Sequence, residues 1–534
     1  MKLIEIISSY NGLEYEVNVY RRRDLNDDVG TPKVLPDISG HKVRAAKVCR
    51  RTRVEMPGVH TFYDGSLMLQ PLAVATGIDV DKVNLVVCQF ISLPLAFVHY
   101  KYLAANKVSR TYFHPLSASF SAISAMESNA IKHLLSNIAI SFALMHLSPP
   151  EYVHKCVFLF SMGYLVFIHW YRWYILTTYS IDVTGPMMVF VQKVTTIAFS
   201  LHDGRVKKVE ELNEIQRREA LSSVPPLLDY LSYIFHFQTV LTGPICFYSD
   251  YMKWIDGTNA IGKDGKIEKQ WQAVVSKLLQ TSIFALLIIR FGTQFYPEMI
   301  AEPKYLSWSS FAWSALFFAV IFFQRIQYYF AWTLADAICN MSGLGFNGYD
   351  SKGRARWDLV SNVDIIAVEL ATSLKETVDS WNCCTMYWLR RVAYDRTPQR
   401  YRIVATYMLS AVWHGFFLGY YITFLTGALF TVAARTVRRC VRHHFQGTLF
   451  MRRLYNLITF ITTKIALAYA TFPFVTLHLN PGLFIYKRLY FSLHILALLA
   501  IFVLPIILPP ESRKQDKSRL SPTKTSNDDV KKVQ

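Results

Sequence analysis

From Val83 to Leu508 the sequence is a succession of apolar blocks separated by short polar breaks, and several blocks are as long as the hydrocarbon core of a membrane is thick. They fall near Val83 to Tyr100, Ile131 to Leu147, Tyr152 to Trp173, Val183 to Leu201, Leu227 to Phe247, Val274 to Phe291, Trp308 to Phe323, Ile326 to Cys339, Ile403 to Ala434, Leu454 to Phe474 and Leu489 to Leu508. A helix rises ~1.5 Å per residue and needs ~20 apolar residues to cross ~30 Å of hydrocarbon. Most blocks are therefore candidate spans, and the shorter or more polar ones are candidates for re-entrant or buried elements. This pattern predicts an all-α polytopic membrane protein, a bundle of roughly 9 to 11 transmembrane helices by the length rule, with short re-entrant or interfacial helices. With 52% apolar and 18% charged residues, the 534-residue chain is far more apolar than a soluble core of its size requires.

The formal charge of +19 comes from Lys and Arg gathered beside the blocks, at Arg21 to Arg23, Arg50 to Arg53, Arg205 to Lys208, Arg390 to Arg402, Arg435 to Arg442 and in the tail. Beside apolar spans such clusters read as cytosolic topology signals and contacts to anionic headgroups rather than as nucleic-acid sites. They also suit an anionic cytosolic substrate. The eight cysteines form no C-x-x-C pair and no zinc-like cluster, so neither a structural disulfide nor a metal centre is expected.

The composition divides the chain into a polar N-terminal arm at 1–62, a membrane domain at 63–508 and a disordered polar tail at 509–534. The arm lacks the apolar stretch and cleavage site of a signal peptide, so insertion relies on the internal spans. The terminal Lys531-Lys-Val-Gln534 resembles a dilysine retrieval signal, which predicts a multi-pass protein of the endoplasmic reticulum membrane with a cytosolic C-terminus. A chance basic tail is the alternative.

Three polar features sit inside apolar surroundings. His414 is the one side chain titrating near neutrality between Ile403 and Ala434, and an imidazole at hydrocarbon depth is by default a hypothesis about function. Ala411, Gly415 and Gly419 recur every four residues beside it and allow another helix to approach closely. A single helix over this block would outrun the bilayer, so it must tilt, kink near the glycines or reach the cytosol. Taken alone, a lone histidine there is equally read as a hydrogen-bonded structural residue.

Second, Arg325, Tyr329, Trp332 and Asp336 share one helical face. Arg325 and Asp336 are too far apart to pair, so they are either separately satisfied or, as we prefer, the wall of an aqueous cavity. Third, Ile366, Leu370, Leu374, Val378 and Trp381 form an apolar stripe opposite Glu369, Thr372, Glu376 and Asp379. That is an amphipathic helix leading to Trp381-Asn382, which alone could also lie on the membrane surface.

Six short motifs then appear in order: Arg325-Ile-Gln-Tyr328-Tyr329-Phe-Ala-Trp332; Trp357-Asp358; Ser380-Trp381-Asn382-x-x-Thr385-x-x-Trp388-Leu-Arg390; Trp413-His-Gly415-x-x-x-Gly419-Tyr420 with Phe424; Tyr469 with Phe474; and Tyr486-x-x-x-Tyr490-Phe491-x-x-His494. With them the chain resembles the membrane-bound O-acyltransferase family, in its lysophospholipid acyltransferase branch. The resemblance extends upstream to Gly65-Ser-x-x-x-Gln70-Pro-Leu72 and Asn84 to Gln89, and so covers about residues 63 to 508. Gly343-Leu-Gly-Phe-Asn347-Gly-Tyr349-Asp350 resembles the members that use lysophosphatidylserine, lysophosphatidylethanolamine or related acceptors. Gln327 and Leu418 depart from the commoner Lys and Pro of the family.

The resemblance implies a helical bundle enclosing a catalytic tunnel, and acyl transfer from acyl-coenzyme A to the free hydroxyl of a lysophospholipid, with His414 and Asn382 as catalytic pair. It implies substrate-binding roles for Arg325, Tyr328, Tyr329, Trp332, Asp336, Asn347, Tyr349, Trp357, Asp358, Glu369, Trp381, Thr385, Trp413, Gly415, Gly419 and Tyr420, and coenzyme A phosphate contacts for Arg390 and Arg391. No cofactor is expected, because acyl-coenzyme A is a co-substrate; the partners are the two substrates and membrane lipids, with no nucleic acid and a homo-oligomer left open. Without the resemblance, Asn382 reads as a helix cap after Asp379-Ser380, and the arginines as topology signals. A transporter with a path through His414, Arg325 and Asp336 is the competing class, and an acyltransferase with a sterol, diacylglycerol or protein hydroxyl as acceptor is the nearer alternative.

Overall fold

The computed structural model describes residues 66–76, 80–103, 111–113, 128–175, 183–241, 243–259, 261–262, 268–292 and 294–510. The polar arm, Cys49 and the tail with its dilysine sequence lie outside them. The principal helices are α1 (Val80–Val98), α2 (Ser128–Leu147), α3 (Val153–Ile175), α4 (Thr184–Val206), α5 (Trp271–Phe291), α6 (Ser310–Met341), α7 (Ile365–Leu370), α8 (Leu374–Ser380), α9 (Cys383–Val392), α10 (Arg402–His414), α11 (Leu418–Val441), α12 (Leu449–Thr476), α13 (Leu479–Arg488) and α14 (Ser492–Phe502). Among the described residues the only strand-like pairings are two isolated bridges, so the molecule is the all-α polytopic bundle expected.

Among the described residues five stretches are long and apolar enough to cross a membrane: Val83–Leu103, Val153–Tyr174, Trp271–Phe291, Ser310–Met341 and Leu449–Thr476; a sixth arises if α13 and the segment after it, bent by 70°, make one span. The block count of roughly 9 to 11 exceeded this for identifiable reasons. The blocks at Trp308 to Phe323 and Ile326 to Cys339 are one continuous helix, α6. Leu227 to Phe247 is helical only to Ile234, and then runs as buried irregular chain. That is tolerable at membrane depth only inside protein.

The block from Val183 to Leu201 is a helix, but 18 of the 23 residues of α4 are buried, so it is the centre of the bundle rather than a lipid-facing span. Lys193 shows how a cation survives there: its Nζ donates to the carbonyls of Tyr233 and Ile234, both 3.0 Å away, and to Thr239 Oγ1 at 2.9 Å. The first two are the orphan carbonyls at the end of the short helix Leu227–Ile234.

The largest departure concerns Ile403 to Ala434. Instead of one span it is a helical hairpin, α10 and α11 packed on one another across a break at residues 415–417. The Tyr407 hydroxyl bonds Thr431 at 2.8 Å, and the Tyr407 ring lies against Gly427, which fixes the two helices as antiparallel. His414 is the last residue of α10 and therefore sits at the hairpin tip. α12 returns along α11, bringing its C-terminal end to that tip.

Candidate active site

The tip is shaped by glycine. Gly415 has φ +124°, a region favourable only to glycine, and its missing side chain leaves room for His169 of α3. Gly419 donates its N–H to the Leu477 carbonyl at 2.8 Å, and a Cβ there would stand 2.1 Å from the Pro473 carbonyl oxygen. The small-residue repeat read from the sequence as one seam is thus divided between two neighbours: Gly415 meets α3 and Gly419 meets the end of α12.

Around His414 the rings of Trp413, Tyr420, Phe424 and Phe474 stand with centroids at 4.7, 5.4, 5.2 and 5.1 Å. No described residue hydrogen-bonds either ring nitrogen, and the residue as a whole is of intermediate burial. A structural histidine in an apolar interior satisfies its nitrogens. This one does not.

Asn382 stands where the chain passes from α8 into α9. It occupies the cap position of α9 without capping it, at φ +50°, and no described residue bonds its amide. Asn is among the few residues that enter the left-handed region at modest cost. Trp381 beside it is pinned by a bridge to Val363 and by ring contacts to Tyr328, Tyr329 and Trp332 at 5.6, 5.9 and 5.0 Å.

The helix expected to lead into this turn is broken into α7 and α8, and the α7 part of its apolar stripe faces outward, with Ile366 72% and Leu370 64% exposed, while Leu374 and Trp381 pack inward. Glu369 faces inward instead. It accepts from Arg325 Nε and Nη2 at 2.9 and 3.0 Å, from the Tyr329 hydroxyl at 2.7 Å and from Lys464 of α12 at 3.4 Å. For a surface against hydrocarbon this inside-out amphipathicity is the stable one.

Of the polar face on α6, Asp336 pairs with Lys277 at 2.6 Å and accepts from Ser361 at 2.5 Å. Arg325 and Asp336 therefore each have a charged partner of their own, and among the described residues neither shares one with His414. Asp336 does line a cavity of about 650 Å³, together with Asn347, Asp358, Ser380, Cys383 and Tyr387; Arg325 does not. The cavity walls thus include both neighbours of the Trp381-Asn382 dipeptide, while neither Asn382 nor His414 lines it.

Asn347 donates to Asp358 at 2.8 Å, which Arg356 also pairs at 2.8 Å. Trp357 turns the other way and packs on Phe346, and Tyr349 bonds Glu268. Arg390 is 55% exposed beside Asp395, whereas Arg391 is buried on Ser200 and Asp203, at 2.9 and 3.5 Å, and so is not at an aqueous mouth.

Sequence reasoning placed α4 as a candidate span but gave it no part in the site, and it did not single out His169. One face of α4 holds α9 and α10 in register: the Met188 carbonyl accepts from Trp413 Nε1 at 3.1 Å, Gln192 donates to Thr385 at 3.0 Å, and Thr195 accepts from Trp388 Nε1 at 2.9 Å. Below them Asp203 binds Arg396 at 2.6 Å and Arg391 at 3.5 Å. Gln192, Lys193, Thr195 and Ser200 within a supposed lipid-facing block were the available signal.

The fold and site define an integral-membrane helical bundle that holds a histidine and an asparagine whose side chains make no hydrogen bond to another described residue. The model of the membrane-bound O-acyltransferase family matches residues 155–472, and the chain belongs to that family. It is 40% identical over 460 residues to "Membrane-bound glycerophospholipid O-acyltransferase 2" of Homo sapiens, covering 83% of this chain and 88% of that protein. With "Membrane-bound glycerophospholipid O-acyltransferase 1" of Mus musculus the identity is 37% over 478 residues, 85% of this chain and 95% of the relative. "Lysophospholipid acyltransferase 6" of Drosophila melanogaster is 38% identical over 471 residues, 84% of this chain, and the match spans 65% of the fly protein.

Proposed function

We propose that this O-acyltransferase moves a fatty acyl group from acyl-coenzyme A to the free hydroxyl of a lysophospholipid, with His414 as general base and Asn382 as its polar partner. The observation that carries the reading is that both side chains are set in the bundle with no hydrogen bond to another described residue, on elements registered by the same helix α4. The printed name of the fly relative supports a lysophospholipid as acceptor, and those of the human and mouse relatives support O-acyl transfer in glycerophospholipid chemistry.

A glycerol hydroxyl is a weak nucleophile. A neutral imidazole takes its proton as the oxygen attacks the thioester carbon. The tetrahedral oxyanion accepts a hydrogen bond from the Asn382 amide, an interaction worth ~3 to 4 kcal/mol in measured oxyanion sites. Collapse breaks the carbon–sulfur bond, the imidazolium returns the proton to the thiolate, and ester and free coenzyme A leave. The aromatic box excludes water, which would otherwise hydrolyse the thioester. The acceptor reaches the box laterally from the leaflet and the donor from the cytosolic face. Endoplasmic reticulum membranes with a cytosolic C-terminus are the location this division of substrates favours.

Purified protein given oleoyl-coenzyme A and a panel of lysophospholipids should release coenzyme A thiol. His414→Ala should lose at least ~10² in turnover, as for a deleted general base, with folding retained. Near-normal turnover of that variant would remove His414 from the mechanism, and no thiol release with any acceptor would overturn the assignment, since a transporter releases none.

A further inference from the structure

A helix that stops leaves its last carbonyls unpaired. α10 stops at His414; the Gly415 N–H takes the Ala411 carbonyl at 3.2 Å, but the N–H that would serve Trp413 in a continuing helix belongs to Phe417, which has left the ladder. The missing donor comes from another helix. His169 of α3, only 6% exposed, places Nε2 3.1 Å from the Trp413 carbonyl oxygen. A carbonyl only accepts, so Nε2 carries the proton and this histidine's tautomer is set. The opposite edge of the same ring lies on Gly415, where a Cβ would stand 3.1 Å from Nδ1 and 3.3 Å from Cγ.

We propose that His169 is a positioning residue for acyl transfer: it grips the chain immediately before and immediately after His414, and so sets the direction in which that imidazole points. The proposal rests on His414 being the base. Without this grip the hairpin tip is a frayed helix end followed by a glycine, the least constrained backbone available. The 244 residues between His169 and Trp413 give the link no local sequence signature.

The test compares full-length wild type, His169→Phe, His169→Asn, His169→Gln and His414→Ala, each with oleoyl-coenzyme A and its best lysophospholipid, alongside thermal unfolding. Phe keeps ring bulk but cannot donate, and Asn is too short to reach; Gln can carry an amide N–H to the same carbonyl. A misaimed catalytic group costs on the order of 10- to 100-fold, so kcat of the Phe and Asn variants should fall by about that much while both KM values stay within about twofold. His169→Gln should recover to within about threefold of wild type by restoring the donor. Normal kcat in Phe or Asn overturns the proposal, as does equal loss in the folded Gln variant, which would mean shape rather than the hydrogen bond. The Asn variant decides if Phe does not fold. Near-normal turnover in His414→Ala would instead refute the base itself, and the two failures are thereby told apart.

Discussion

Asn382 separates backbone from side chain as few catalytic candidates do. Its φ of +50° imposes a cost on any Cβ-bearing residue other than Asn or Asp, so an alanine variant mixes strain with loss of the amide. Glycine enters the left-handed region freely. Asn382→Gly should therefore retain the wild-type unfolding midpoint while turnover falls roughly 10²- to 10³-fold, the range for a deleted oxyanion donor. Retained turnover in that variant would return Asn382 to a purely conformational role. At this scale the sequence was informative about identity and silent about state: the motif residues His414 and Asn382 could be named, but whether either was already bonded could not. Asn382 at a cap position was the obvious local reading, and only the structure shows the cap bond unmade.

Between elements, two charge clusters hold the helices around the candidate site, and their burial ranks them. Asp203 is fully buried between Arg391 and Arg396 and ties α4 to α9 and the loop after it. Glu369 joins α7 to α6 and α12, but its side chain is 25% exposed and those of Arg325 and Lys464 are 15% and 18% exposed. Removing one partner strands the others, at ~3 to 5 kcal/mol for a sealed cluster and less where solvent screens it. Asp203→Asn should thus lower the unfolding midpoint in detergent clearly more than Glu369→Gln does; the reverse order would show that the α6–α7–α12 junction is the tighter one. Helical periodicity located Arg325 and Glu369 on polar faces yet could not pair them, because the partner of each lies 44 residues away. The same limit hid the hairpin: an apolar run long enough to span gives no sign that it folds back on itself, except glycines such as Gly415 whose conformation is invisible until the turn is seen.

Across the whole molecule, charge is divided by position. Residues 396–510 carry twelve Lys and Arg side chains and not one Asp or Glu. The hairpin topology collects most of them at one end, since Arg402 opens α10, Arg435 to Arg442 close α11, and Arg452 and Arg453 follow the start of α12. His414 lies at the opposite end of α10, ~20 Å away along a 13-residue helix, inside a box that contains no charge. On the proposed mechanism a polyanionic donor would be drawn to one end while its thioester reacts at the other. An electrostatic field of this kind acts on encounter and is screened by salt, with a Debye length of ~10 Å at 0.1 M falling to ~3 Å at 1 M. Raising ionic strength from about 0.05 to about 0.5 M should therefore raise KM for acyl-coenzyme A roughly threefold or more while leaving kcat unchanged, because the chemical step is set among uncharged rings. The lysophospholipid, already partitioned into the bilayer, should show a flat KM over the same range. A salt-independent KM for the donor would mean that the basic end serves membrane orientation alone, and that coenzyme A is held by neutral contacts elsewhere.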